Sequence, residues 1–216
     1  MSDKPLANAI ERRVVAGDVR AKKVDEGPSV LAGYAAVFGQ ETVIGEGGWM
    51  PFRERIESGA FTDALRTDDV LGLWNHNVDV VLGRSGNGTV RVSEDGHGLA
   101  YEIDVNAADP QAVGVAARVD RGDVHTSSFA FSVGEDGDEW DDSGVKAGLL
   151  PLRRITKVSR LYDVSPVAAA AYPQTTVSAR AEARAKELTA PVAPAPVTFA
   201  EDPASRAREL ELKRRG

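Results

Sequence analysis

The chain has 216 residues, 42% of them hydrophobic, with no cysteine and a formal net charge of −7. That is enough apolar material for one compact domain with tails to spare, and it excludes disulfides, thiolate catalysis and zinc sites built on Cys. No apolar run nears the roughly 20 residues that cross a bilayer, the opening MSDKPLANAIERR lacks a secretory apolar stretch, and the acidic body is no phosphate-binding surface, so a soluble cytoplasmic protein without membrane or specific nucleic-acid partners is expected.

Residues 1–13 are polar and aperiodic, a flexible lead-in to a domain expected over 14–180. From Val14 the chain becomes strand-like, and SVLAGYAAVFG predicts a buried strand bending at Gly33. ETVIGEGGWMPF reads as a loop, and in RERIESGAFTDAL Ser58 is placed to cap a short helix carrying Phe61 and Leu65 on one face. LGLWNHN follows as an apolar strand ending at Trp74, with a second apolar run, VDVVLGR, just after it.

Over residues 89–105, Val90 and Val92 alternate with polar neighbours, as do Leu99, Tyr101, Ile103 and Val105. The turn-rich EDGHG between the two runs makes this a hairpin. Asp109-Pro110 supplies an N-cap and a first-turn proline, QAVGVAARVD carries helical spacing, and Gly122 ends it. That helix delivers the chain into the strand SSFAF. GEDGDEWDDSG reads as an acidic loop, and PLRRITKVSRLYDVSPVAAAAYP as one or two further strands.

Residues 181–216 combine a helix former, ARAEARAKEL, the linker TAPVAPAPVTFAEDP, and a second helix former, SRARELELKRR. They have too few apolar positions for a core and read as a helical and linker tail, either an assembly segment or plain disorder. The expected fold is α+β, a mainly antiparallel barrel-like or sandwich core with a few short helices.

GDVHTSSFAF places a polar pair inside an apolar strand, and Ser128 reads as a nucleophile. A serine hydroxyl holds its proton tightly, so acyl transfer needs an imidazole to take it, a group to orient the imidazole, and donors for the oxyanion. His97 lies between glycines in the hairpin turn and reads as solvated, and His125 alternates in a strand, packed, exposed or lining a cleft. His76, at a strand end between asparagines and near Trp74, is placed to be the general base, or else makes a structural hydrogen bond. Asp163, Asp79 and Asp138 are candidates for the orienting acid. Asp163 stands out because an unpaired carboxylate within the apolar LYDVSPV would be costly to bury. A metal-dependent hydrolase using His76, His125 and acids is weaker, since no short metal-ligand motif is present, and no cofactor is expected.

Taken in order, GYAAVFG, LWNHN with VLGR, the hairpin, RGDVHTSSFAF and RRI…LYDVSPVAAAAYPQT resemble the prohead (head maturation) proteases of tailed bacteriophages, which are similar in fold to the herpesvirus assemblins. The likeness covers roughly residues 14–180. Those proteases usually read Met-Ser-Phe-Gly-Phe around the nucleophile, and Ser127-Ser128-Phe129-Ala130-Phe131 matches it with Ser128 in the nucleophile's place. By the same resemblance His76 is the catalytic histidine, Asp163 stands where a Glu is usual, and Arg154 of RRI is an oxyanion candidate. The resemblance implies a serine endopeptidase that cleaves the scaffolding part of the major capsid protein, and itself, inside the procapsid in the host cytoplasm. It also implies a possible homodimer and a tail beyond Arg180 that recruits the enzyme into the shell. The rival reading is a non-catalytic assembly module on the same fold.

Overall fold

A computed structural model of the protein describes residues 9–15, 19–22, 29–45, 51–168 and 178–189. Residues 1–8 of the expected lead-in, the Pro/Ala linker and the last expected helix lie outside them.

Period-two alternation is clearest in the expected hairpin, where β8 (Val90–Glu94) and β9 (Gly98–Asp104) pair Val90 with Ile103 and Val92 with Tyr101. The Asp95 carboxylate closes the turn by accepting from the His97 and Gly98 N–H groups at 2.7 and 3.0 Å. β3 (Val30–Val37) takes the other edge of β9, and β2 (Arg20–Lys22) flanks β3. A Cβ on Gly98 would lie 2.0 Å from the Ala36 carbonyl oxygen, so this crossing admits only glycine. The expected bend lies two residues beyond Gly33. Gly33 pairs regularly with Tyr101, and the register slips between Tyr34 and Ala36, around the buried Ala35.

A second sheet runs β11 (Asp138–Asp141), β12 (Leu152–Ile155), β5 (Phe52–Ile56), β4 (Thr42–Ile44). Three expectations are corrected here. ETVIGEGGWMPF, read as a loop, holds β4 and, at Phe52, the start of β5. α1 (Thr62–Thr67) has Phe61 rather than Ser58 at its N-cap position, with no side-chain cap. Its first-turn donors, the Phe61 N–H and the Thr62 hydroxyl, go instead to the Glu94 carboxylate at 3.0 and 2.7 Å. The acidic stretch read as a loop contains β11, which pairs antiparallel with β12.

The largest sheet orders β1 (Glu11–Val15), β10 (Thr126–Ser132), β13 (Arg160–Val167), β6 (Leu71–Trp74) and β7 (Asn77–Arg84). β1 opens at Glu11, three residues before the strand-like stretch expected from Val14. β10 is buried along its whole length. Phe129 and Phe131 stack at 4.8 Å on its core side, with Phe61 edge-on to Phe129 at 5.7 Å.

α2 (Pro110–Arg121) has the expected ends: Asp109 accepts from the Gln111 N–H at 2.8 Å, and Gly122 closes the helix at φ 85°. It packs Ala112, Val115, Ala116 and Val119 into the same core. α3 (Ala179–Thr189) follows ARAEARAKEL and buries Ala185 against Ile44, Phe52 and Trp140. The class is α+β, mostly strands with few helices. The three sheets do not close into a barrel among the described residues. No described helix is long and apolar enough to cross a membrane.

Candidate active site

Alternation along β10 decides between the two adjacent serines. Ser127 faces the core with Phe129, and its hydroxyl is 2.8 Å from the Tyr101 hydroxyl, whose own titration burial pushes above the usual phenol range. Ser128 faces the other way, directly between Val14 of β1 and Ser165 of β13. One serine is therefore a core hydrogen bond, and the other opens onto the strands on either side.

His76 belongs to the two-residue connection between β6 and β7, where Trp74 pairs with Asn77. Asn75 and His76 both take left-handed backbone, at φ 52° and 57°, as the tight hairpin turn requires. Asn and His are both among the non-glycine residues that take this region most readily. Asn75 also anchors the turn. Its N–H donates to the Pro166 carbonyl at 3.2 Å and its side-chain oxygen accepts from the Ala168 N–H at 2.9 Å, tying the turn to the end of β13.

The imidazole thereby reaches across β13. Its Nε2 is 2.6 Å from Ser128 Oγ and its Nδ1 is 2.6 Å from Asp163 Oδ1. Asp163 pairs with Ala130, which puts it on the same face as Ser128, and Ser165 donates to its Oδ1 at 2.8 Å. The structure thus brings together Ser128 of β10, Asp163 of β13 and His76 of the β6–β7 turn. Of the other candidates, Asp79 is exposed on β7 and His97 and His125 are exposed. Asp138 is bound to Arg153, and the Arg154 guanidinium is bound to Glu139 in the second sheet at 2.5 Å.

Sequence reading missed Ser165, Asn75 and the Arg13 main chain. Ser165 had a signal: it stands two residues after Asp163, on the same face of one strand. The Arg13 carbonyl had none. It accepts from Ser128 Oγ at 2.7 Å, and Ser128 is fully buried. The hydroxyl carries one proton and faces two acceptors. With Nδ1–H donated to Asp163, a neutral imidazole offers Nε2 to the Ser128 proton. When both ring nitrogens are protonated, Nε2–H points at Ser128 Oγ and the hydroxyl turns to Arg13. The neutral arrangement is that of a general base poised on a nucleophile.

Around β1 lies a buried ionic cluster. Arg13 binds Glu54 through Nε and Nη2 at 2.5 and 2.7 Å, and Glu11 at 2.7 Å. Arg153, completely buried, binds Glu11 at 2.7 and 3.0 Å, Glu54 at 3.0 Å and Asp138 at 2.7 Å. Burial alone would raise the Glu11 carboxyl, but Arg153 and Arg13 outweigh it and hold it below the usual carboxylate range. Burial works against the charge on Arg13 and Arg153 too, yet their carboxylate partners push both above the ordinary guanidinium range. Among the described residues, no group of three or more His, Cys, Asp or Glu side chains is arranged to hold a metal ion.

A family model described as caudovirus prohead serine protease matches residues 16–189. No curated protein and no solved structure matches the chain.

Proposed function

This chain belongs to the caudovirus prohead serine protease family, and from that premise we propose that Ser128 is its nucleophile, His76 its general base and Asp163 the acid that orients the imidazole. Membership makes the protein a serine protease with a capsid-maturation role inside the phage prohead. The observation that carries the residue assignment is the unbroken run of hydrogen bonds from Asp163 through His76 to Ser128.

In this reading Ser128 Oγ attacks the scissile carbonyl carbon while its proton passes to His76 Nε2, and Asp163 stabilises the imidazolium through Nδ1–H. Collapse of the tetrahedral adduct breaks the C–N bond, and the imidazolium returns the proton to the leaving amine. Water, deprotonated by the same imidazole, then hydrolyses the acyl-serine. The substrates are the scaffolding part of the major capsid protein and the enzyme itself. Cutting many scaffold chains removes the contacts that hold the immature shell, and peptide hydrolysis makes that step one-way. An assemblin-like fold and a homodimer belong to the same proposal.

Mass spectrometry of products after co-expression with capsid protein tests it. Wild type is expected to release scaffold fragments, whereas Ser128→Ala binds capsid protein and releases none. Unchanged processing by Ser128→Ala would remove the assignment.

A further inference from the structure

We propose that Arg180 of α3 is a positioning residue for this hydrolysis: through Asp138, Arg153 and Glu11 it holds β1 where the Arg13 carbonyl draws the Ser128 hydroxyl away from His76. The inference rests on Ser128 being the nucleophile.

The contacts form one chain from the C-terminal helix to the reacting atom. Arg180 Nη1 lies 2.9 Å from Asp138 Oδ1, and the other oxygen of that carboxylate accepts from Arg153 Nε at 2.7 Å. Arg153 holds both oxygens of Glu11, and Glu11 shares Oε2 with Arg13, whose carbonyl receives the Ser128 proton at 2.7 Å. Arg180 has little else to hold it: Nη1 makes a long 3.4 Å contact to the Glu135 carbonyl, and Nη2 is buried with no hydrogen-bond partner among the described residues.

Charge counting gives Arg180 its leverage. Among the described residues Arg13, Arg153 and Arg180 stand against Glu11, Glu54 and Asp138, three cations to three anions. Without Arg180 two guanidinium groups face three carboxylates, and an uncompensated charge in a dry site is strongly unfavourable. β1 is the element able to relieve it. It is an edge strand whose ladder partner is β10, and it carries both Glu11 and Arg13 into the cluster. Once β1 shifts, the hydroxyl loses its competing acceptor and its cover together, and the proton is left to His76 Nε2.

The test is the labelling rate of the full chain by a small fluorophosphonate, in which Ser128 Oγ bonds to phosphorus, fluoride leaves and the proton goes to the imidazole. Because the reagent makes no peptide contacts, it reads the reactivity of the hydroxyl. Arg180→Gln is expected to label roughly three- to tenfold faster than wild type, the effect of losing one neutral hydrogen bond to a competing acceptor. Arg180→Lys should label at the wild-type rate. Asp138→Asn/Arg180→Gln, in which two cations again face two anions, should also match wild type, and it serves if the single variant fails to fold. Folded Arg180→Gln that labels no faster overturns the proposal, and so does a double variant whose rate differs from wild type. Labelling that persists in Ser128→Ala would instead sink the nucleophile assignment.

Discussion

Asp163 is one methylene shorter than the glutamate usual in the proteases this chain resembles, and the Ser165 hydroxyl fixes the oxygen that meets His76. Asp163→Asn should leave the fold intact by circular dichroism while kcat for capsid-protein cleavage falls on the order of 10^3- to 10^4-fold, because the neutral amide does not stabilise the imidazolium and its N–H can donate to Nδ1 and fix the wrong tautomer. Ser165→Ala removes a hydrogen bond to a charged group, worth about 1.5–3 kcal/mol. Its kcat should fall roughly ten- to hundredfold at unchanged KM, since the hydroxyl touches only Asp163 and the ring. An acid inside the apolar LYDVSPV was legible in the sequence, because burying it demands a partner. Its apolar flanks also set Asp163 apart from Asp138, which is just as buried in the fold but is satisfied by Arg153. The choice between Ser127 and Ser128 is a matter of strand face. The Arg13 carbonyl is beyond any sequence signal, since a main-chain oxygen looks the same at every residue.

At the level of elements, the parts with local causes were readable. The hairpin from Val90 to Asp104 follows from alternation and turn residues, and α2 follows from its cap, proline and closing glycine. Asp109→Ala should therefore destabilise the protein by about 1 kcal/mol in urea denaturation, the usual effect of losing an N-cap. β5 was not read as a strand, because Arg-Glu-Arg carries no apolar alternation of its own and only its partners make it one. Glu54 can be buried there because Arg13 and Arg153 arrive from β1 and β12. α3 was read as helix, but its docking on Phe52 and Trp140 depends on a face that a short Ala-rich stretch does not advertise. A chain ending after Ser178 uncovers Ile44 and Phe52, and its midpoint should drop by about 2–4 °C for each kcal/mol of packing lost.

For the whole molecule, the buried cluster ties stability to acidity. The Glu11 carboxyl titrates lower in the folded chain than in the unfolded one, so the unfolded state binds more protons as pH falls. Its contribution is full above the ordinary carboxyl value of about 4.3 and is lost as pH drops through the lower folded value. Urea midpoints should thus decline steeply below about pH 4, and Glu11→Gln should flatten that slope while lowering the plateau near neutrality. The sheet order carries one more consequence. β13 lies between β10 and β6, and it is the last strand of the largest sheet to leave the ribosome. Until it inserts, the strand bearing the Ser128 hydroxyl and the turn bearing the His76 imidazole have no strand between them, so under the proposed assignment a nascent chain stays chemically silent until its last sheet strand has been made.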